Sequence, residues 1–285
     1  MRRDNLLFGW LGAGVALVAL GGGAIAEQAA ADKSRDLRIC ASEKEAPFSI
    51  KDGKGFENRI AIALAEAMNR KPVFVWTARP AIYLVRDYLD KNLCDVVIGV
   101  DTGDARVLSS APYYRSAYVF LSRENENLDI ESWKDPRIDK VGHIAVSFGS
   151  PGEVMLKDLG KYEDNMAYLY SLVNFKAPRN EYTQIPPSKI VEEVVLGNAG
   201  LAAAFAPEVA RYVKASPEPL RMTVISDDAI SGDGAKTPQH FDQSVGVRKD
   251  DVALLEEVNA GLAKAQPRIT SILKEEGIPL LDKGM

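Results

Sequence analysis

Apolar residues between positions 37 and 100 follow two alternating spacings. Three short apolar runs predict β-strands, at residues 37–41, 73–76 and 95–100. Between them, apolar residues recur every three or four positions, which predicts helices at residues 59–68 and around Ile82, Val85 and Leu89. The third run is almost continuously apolar, as in parallel strands that are buried on both faces. The pattern therefore predicts a βαβαβ unit that opens a parallel sheet.

A second alternation begins in mid-chain, where a strand-like run at 114–121 passes into a polar stretch at 122–127. Further strands are predicted at residues 144–148, 201–205, 222–226 and 244–247. Helices are predicted from about residue 153, at 190–196, and at 207–214, where a proline opens the helix. Two more helices are expected near the end of the chain, one over residues 252–262 and a short one over residues 269–273.

One α/β unit is thus interrupted by another, with strand-like crossings near residues 119–123 and 222–226. This order predicts an α/β fold of two lobes joined by two crossover hinge segments. We expect lobe 1 to comprise residues 33–121 plus 226–285, and lobe 2 to comprise residues 122–225. A binding cleft is expected at the carboxyl ends of the strands.

The first 26 residues have the features of a targeting segment. Arg2 and Arg3 precede a long uncharged, apolar stretch, which ends in the small-residue tripeptide Ala24-Ile25-Ala26. This pattern predicts a signal peptide at residues 1–26, cleaved near Ala26, and a mature protein in the periplasm. The glycines within the stretch make a permanent membrane anchor the weaker interpretation.

The charge of the chain limits its partners. The sequence contains 35 Lys and Arg against 40 Asp and Glu, for a formal net charge of −5 at pH 7. A mildly acidic, well-mixed charge argues against nucleic acid and against anionic membrane surfaces. We expect a monomer that needs no cofactor.

Motifs for catalysis and metal binding are missing from the sequence. Its two histidines, His143 and His240, lie outside any recognisable catalytic turn motif. The chain contains no Gly-x-Ser-x-Gly nucleophile turn, no phosphate-binding glycine loop and no pair of closely spaced cysteines. We therefore expect no catalytic residues, no metal site and no enzymatic activity.

Cys40 and Cys94 are the two cysteines of the chain. The periplasm permits a disulfide between them. Cys40 is predicted late in one strand and Cys94 at the start of a parallel neighbour, an arrangement that can hold the Cα atoms too far apart. Both a disulfide and two buried thiols remain open at this point.

Several strings of the sequence, in order, resemble a known family. They are residues 37–41, 47–49, 55–58, 94–100, 112–120, 186–192, 241–248 and 277–280. The order of strands and helices resembles the type 2 periplasmic binding proteins, and these strings resemble the MxaJ/XoxJ family within them. That family accompanies quinoprotein methanol dehydrogenases. The resemblance implies a non-catalytic periplasmic accessory protein that binds such a dehydrogenase and assists its maturation or activation.

The amino-acid-binding branch of the superfamily holds its ligand through two charged groups. An arginine after the third strand binds the ligand carboxylate, and Arg106 has this chemistry here, although its spacing to Pro112 is short. An acidic residue at the end of a lobe 2 strand binds the ammonium, and the corresponding place here is near Phe205, which carries no charge. An ordinary amino-acid ligand is therefore not expected.

Other residues are candidates for the cleft or for a partner surface. The candidate cleft residues are Phe48, Trp76, Asp101, Thr102, Arg106, Tyr113, Ser150, Gly152 and Phe205. Ser150 and Gly152 precede a predicted helix, whose free N–H groups can bind an anion. Residues 162–182 are rich in tyrosine, which is favoured at protein interfaces. The candidate partner contacts are Tyr162, Tyr168, Tyr170 and Tyr182.

Two other functions compete with the accessory role. One is the substrate-binding component of an ABC-type transporter, which captures a small solute in the cleft. The other is an enzyme on the same scaffold, such as a dehydratase of cyclic acids, which needs an acid/base pair that the sequence does not offer. The uncharged position at Phe205 favours the accessory role over solute capture.

Overall fold

The structure of the protein is a computed structural model that describes residues 35–173 and 184–282. The chain divides into a unit of residues 1–36 and a unit of residues 37–285, and the architecture below belongs to the second. The predicted signal peptide and Tyr182 lie outside the described residues. Within residues 35–173 and 184–282, no helix combines the length and the apolar character needed to cross a membrane.

The described residues include eleven strands and six α-helices. The strands are β1 (Asp36–Ser42), β2 (Lys44–Glu45), β3 (Ser49–Ile50), β4 (Lys71–Thr77), β5 (Val96–Asp101), β6 (Leu108–Ser109), β7 (Tyr114–Arg123), β8 (Ile144–Val146), β9 (Leu201–Phe205), β10 (Leu220–Val224) and β11 (His240–Val247). The α-helices are α1 (Phe56–Ala67), α2 (Pro151–Asp158), α3 (Tyr162–Ser171), α4 (Pro187–Val195), α5 (Ala206–Lys214) and α6 (Val252–Glu276).

Nine of the strands form a mixed sheet in the order β4-β1-β5-β11-β7-β9-β8, with β6 on β11 and β10 on β7. The pairs β1–β5 and β8–β9 are parallel, as expected where helices connect neighbouring strands. β7 pairs with β11 through Tyr114–Ala117, then with β9 from Tyr118 onwards. This strand therefore runs from one half of the sheet into the other.

Two large hydrophobic cores lie against the two halves of the sheet. The first lobe core includes Leu37, Phe56, Ile60, Val96 and Leu262. The second lobe core includes Phe120, Trp133, Leu156, Ile190 and Ala203. Two cores on one sheet confirm the two-lobed α/β fold that the sequence predicts. β7 is one of the segments that cross between the lobes.

The second lobe core extends past the predicted limit of that lobe. Val119, Phe120 and Leu121 of β7 already pack in it, before residue 122. On the return path, Ile225 and Ala229 also belong to it. The division into residues 33–121 plus 226–285 and residues 122–225 stays a prediction.

Most predicted elements are confirmed, and the end of the chain is the main exception. Two helices were expected after residue 250, whereas α6 is one helix that passes through Pro267. Proline removes one backbone hydrogen bond, a loss that favours a break. Here Ile269, Ile272 and Leu273 are buried in the same core as Leu262, so packing keeps the helix continuous across the proline.

The predicted helix around Ile82, Val85 and Leu89 is wrong in form. The segment consists of a short 3₁₀ turn at Ala81–Tyr83 and one π-helical turn at Val85–Leu89. Ile82 is exposed, whereas Val85 and Leu89 are buried. Only part of the predicted apolar face therefore packs on the sheet.

Cys40 and Cys94 are joined by a disulfide bond, with their Cα atoms 5.5 Å apart. Cys40 pairs with Val97 in the parallel ladder of β1 and β5, and Cys94 lies just before β5. Both residues are buried in a small cluster with Val85 and Leu89. The structure thus selects the disulfide over the two free thiols and places it beneath the irregular helical segment.

Candidate functional site

Three adjoining cavities meet at the side chain of Phe48. The lobe 1 cavity, of about 250 Å³, lies at the carboxyl ends of β1 and β5, with Glu45, Glu57 and Asp101 in its wall. The aromatic cavity, of about 240 Å³, is lined by Phe48, Gly99, Asp101, Tyr118, Phe205, Phe241 and Gln243. The interlobe cavity, of about 350 Å³, lies between Phe48 and residues of the second lobe, including Glu208 and Tyr212. The cleft predicted at the strand ends is therefore built around Phe48.

Phe48 is positioned by the connection between β1 and α1. Its ring packs on Phe56, the first residue of α1, with ring centroids 5.0 Å apart. Its carbonyl oxygen accepts a hydrogen bond from the N–H of Glu57 at 3.0 Å, which satisfies one of the free donors at the helix start. The same connection thus directs the ring of Phe48 and the first turn of α1 towards the cleft.

Three aromatic rings from three different strands form one side of the aromatic cavity. Tyr118 lies 5.5 Å from Phe205 and 5.9 Å from Phe241, and Phe205 lies 6.1 Å from Phe241, between ring centroids. On the polar side, the Gln243 side-chain amide donates to Asp101 at 2.6 Å. The cavity thus combines an aromatic wall with one carboxylate.

Glu57 approaches the backbone of β5 at Gly99. The φ angle of Gly99 is +75°, and a Cβ atom at this position would lie 1.8 Å from Glu57 Oε1. Glycine therefore provides both the left-handed backbone and the space that the carboxylate occupies. Because Gly99 has no side chain, the Glu57 carboxyl group can lie against β5 in the wall of the lobe 1 cavity.

Three glutamates around the cleft have raised pKa values. Burial, followed by the charge of Glu45, raises the pKa of Glu57 to about 8. The same two causes raise the pKa of Glu208 to about 7. Burial also raises the pKa of Glu45, although an N–H donated by Ala81 at 3.2 Å opposes the effect. The cleft thus holds more acidic groups than its surroundings neutralise.

We expect the free energy of unfolding to fall as the pH rises from about 5.5 to about 8.5, and to fall less in Glu57→Gln. The ordinary pKa of a glutamate is 4.5, so between that value and about 8 the folded protein binds a proton that the unfolded chain has lost. Raising the pH over this window therefore removes stability. Urea denaturation at both pH values measures the change.

The groups whose charges interact with Glu57 are Glu45, Tyr113 and Tyr114. Both tyrosines keep their protons in this range, because burial raises the pKa of each hydroxyl well above its ordinary value. Glu256→Gln, on the exposed face of α6, is the matched control and should retain the full pH dependence. An equal fall in Glu57→Gln and in the unmodified protein contradicts the prediction.

The structure brings four of the predicted cleft residues to the cavities: Phe48, Asp101, Arg106 and Phe205. Arg106 is engaged with its neighbour Asp104, to which its guanidinium donates at 2.7 Å. This ion pair uses the Nε–Nη2 edge of the guanidinium, one of the edges that can bind a carboxylate through two hydrogen bonds.

The other five predicted cleft residues lie outside the walls of these cavities. Trp76 stacks on Phe74 at 4.9 Å, and Thr102 bonds Ser244 Oγ at 2.6 Å. Tyr113 is buried in the first lobe core. Ser150 caps α2 by accepting the N–H of Glu153 at 3.3 Å, and Gly152 packs on Val146 behind it.

The acidic residues of the cleft are not among those predicted from the sequence. No acidic group is predicted near Phe205, yet α5 begins directly after β9 and its first turn places Glu208 in the wall of the interlobe cavity. Glu45 and Glu57 lie on either side of the Pro47-Phe48 turn, from which only Phe48 is predicted to reach the cleft. Their proximity to a turn at a strand end was the available signal.

The tyrosines proposed as partner contacts have different surroundings. Tyr168 stacks on His143, with centroids 4.3 Å apart, and donates its hydroxyl hydrogen bond to Glu193 at 3.1 Å. Tyr162 is half-buried beneath the ammonium group of Lys157. Tyr170 is 56% exposed. Within the described residues, no group of three or more His, Cys, Asp or Glu side chains is arranged to hold a metal ion.

Comparison with known proteins gives consistent matches over nearly the whole described chain. The family model of bacterial extracellular solute-binding proteins, family 3, matches residues 37–273. Protein MoxJ of Methylorubrum extorquens is 60% identical over 256 residues, which cover 90% of this chain and 85% of that protein. Protein MoxJ of Paracoccus denitrificans is 47% identical over 272 residues, which cover 95% and 96%.

A solved structure agrees with these sequence matches. The crystal structure of MxaJ from Methlophaga aminisulfidivorans MPT has a TM-score of 0.83 and 48% sequence identity, and the match covers 86% of this chain and 100% of that one. The resemblance drawn from the ordered strings is thereby confirmed. The chain belongs to the MxaJ/XoxJ family of periplasmic binding proteins associated with methanol oxidation, within family 3 of the bacterial extracellular solute-binding proteins.

Proposed function

We propose that this protein is a non-catalytic periplasmic accessory protein that binds a quinoprotein methanol dehydrogenase and assists its maturation or activation. The observation that carries the proposal is the 60% identity to Protein MoxJ over 90% of the chain. The protein reaches the periplasm through the segment of residues 1–26, which is removed after Ala26. It acts as a monomer without a cofactor of its own.

We propose that the dehydrogenase contacts the second lobe on α2 and α3. Three large apolar side chains are exposed on these helices: Tyr170 at 56%, Val154 at 39% and Met166 at 38%. The ring of Tyr170 rests on Phe148 at 5.0 Å, which holds it at the surface. A tyrosine supported in this way offers a large contact area at a small loss of side-chain entropy. Tyr162 contributes to the same surface, whereas Tyr168 supports the lobe from within.

Replacing Tyr170 with alanine is expected to weaken binding of the dehydrogenase by about 30-fold, the effect of removing one central aromatic contact. The folding of the protein should change little, because the side chain is largely exposed. Calorimetric titration of the purified dehydrogenase into the mature protein measures the affinity. Both the calcium and the lanthanide type of enzyme are titrated.

Val252→Ala is the matched control, since Val252 is equally exposed but belongs to α6 on the first lobe. It should bind as the unmodified protein does. If Tyr170→Ala retains full affinity, the contact surface is wrong. If neither type of dehydrogenase binds the unmodified protein, the accessory function itself is wrong.

The second candidate function is the substrate-binding component of an ABC-type transporter. The three cavities around Phe48 favour it, because they provide recessed space, partly open to solvent, at the position where this fold holds small ligands. A solute that binds the protein alone and raises its Tm supports this function. Co-purification with the dehydrogenase supports the first.

A further inference from the structure

Glu45, Glu57 and Glu208 place three carboxyl groups in the walls of the cleft. Within the described residues, none of the three forms an ion pair, and Glu57 and Glu208 accept no side-chain or backbone hydrogen bond. Lys44 lines the interlobe cavity as well, but its ammonium group forms no ion pair with a described residue. Uncompensated carboxylates in a half-buried cleft favour a positively charged ligand.

The aromatic cavity provides a second and independent observation. The rings of Tyr118, Phe205 and Phe241 form one wall of a space that Phe48 and Asp101 also line. The face of an aromatic ring carries negative potential and attracts cations, most strongly where water is excluded. Three such rings next to a carboxylate form a wall suited to an organic cation, and unsuited to an anion.

A buried hydroxyl without a hydrogen-bond partner lies on the strand that carries Tyr118. Tyr114 is 2% exposed, and its Oη atom has no hydrogen-bond partner within the described residues. Tyr114 and Tyr118 lie on the same face of β7, because side chains of a strand alternate. The pKa of Tyr114 is raised by burial and then by the charges of Glu57, Asp101 and Glu208. A buried hydroxyl without a partner is rare in proteins and often marks a functional region.

The chemistry of the cation is limited by two further facts. The described residues contain no three-ligand arrangement for a metal ion, so the acidic groups are too widely spaced to close around one. The guanidinium of Arg106 donates from Nε and Nη2 to Asp104, so this bidentate edge is already used. The ligand should therefore be extended, positively charged and without a carboxylate.

We propose that the cleft binds a small organic amine or guanidine, whose cationic group lies among Glu45, Glu57 and Glu208 and whose chain extends along Tyr118, Phe205 and Phe241. This site is independent of the dehydrogenase contact on the second lobe. A cation site of this kind names the class of ligand for the solute-capture function. An accessory protein could use the same site to sense such a solute.

Calorimetric titration of the mature protein alone tests the site with four probes. Putrescine and agmatine are the cations. 1,4-Butanediol has the length of putrescine without charge, and ornithine is putrescine with an added carboxylate. We expect putrescine or agmatine to bind at least about tenfold more tightly than the diol and ornithine, as charge-assisted hydrogen bonds require. Cation binding should also strengthen between about pH 6 and about pH 8.5, as the carboxylates lose their protons.

Variants assign the binding to the cleft. Glu57→Gln and Glu208→Gln should each weaken cation binding by about tenfold or more, whereas Glu256→Gln on α6 should bind normally. Because the two glutamates belong to different lobes, one variant remains informative if the other folds poorly. If no cation binds more tightly than the diol, or if both cleft variants bind as the unmodified protein does, the proposal is overturned. Neither result depends on the dehydrogenase, so it leaves the accessory function to its own test.

Discussion

Replacing both Cys40 and Cys94 with alanine is expected to lower the free energy of unfolding by about 4 kcal/mol. The disulfide closes a loop with a sequence separation of 54 residues. In the chain-entropy model, a cross-link over a loop of this length removes about 4 kcal/mol of conformational freedom from the unfolded state. The closed loop contains α1, β4 and the irregular helical segment, all of which contribute to the lobe 1 cavity or its support.

Urea denaturation of the oxidised protein and of the double variant measures this difference. Alanine is chosen because both cysteines are buried and a serine would add an unpaired hydroxyl. A reducing agent should destabilise the unmodified protein to a similar extent and leave the double variant unchanged. A reducing agent without effect on the unmodified protein contradicts the prediction.

Replacing Trp133 with alanine is expected to lower the free energy of unfolding by about 3–5 kcal/mol, the range for truncation of a large buried aromatic residue. Trp133 is 2% exposed, and its ring packs on Phe120 of β7 at 4.8 Å. Its Nε1–H donates to the side-chain oxygen of Gln239 at 3.4 Å, and the Gln239 carbonyl accepts the N–H of Tyr118 at 2.7 Å. The side chain thus connects the second lobe core to the chain that returns into β11.

Trp133→Phe is the matched variant, since it retains an aromatic ring against Phe120 and should lose less than half as much stability. Denaturant unfolding gives the free energies, and amide hydrogen exchange over residues 226–239 reports the return segment directly. Exchange there should become faster in the alanine variant than in the phenylalanine variant. A loss below about 1 kcal/mol in Trp133→Ala means that this core closes around the cavity and that the side chain does not secure the crossover.

Much of the fold was predictable because its elements are encoded by neighbouring residues. The apolar run at residues 201–205 coincides with β9, and the predicted helix at 207–214 coincides with α5 to within one residue. The exception at α6 has a tertiary cause. Pro267 is a local signal for a break, and it is overridden by the burial of Ile269 and Leu273 in a core that also contains Leu37 and Val96.

The site was less predictable than the fold. Phe48 and Phe205 were expected in the cleft from their places at strand ends, and both line the cavities. Glu57 and Glu208 each stand in the first turn of a helix, where an acidic residue is common for its interaction with the helix dipole alone. Nothing local distinguishes such residues from solvated ones. Their raised pKa values arise because the lobes and Glu45 enclose them.

The sequence by itself determined the order of strands and helices, the two-lobed class of the fold and the family of the protein, because periodicity and ordered strings are properties of neighbouring residues. Only the tertiary structure decided that Cys40 and Cys94 are bonded and that Glu208 reaches the cleft. These features depend on distances between elements far apart in the chain. Burial, charge and cavity shape are set when those elements pack together, so the character of the cleft follows from the assembled lobes.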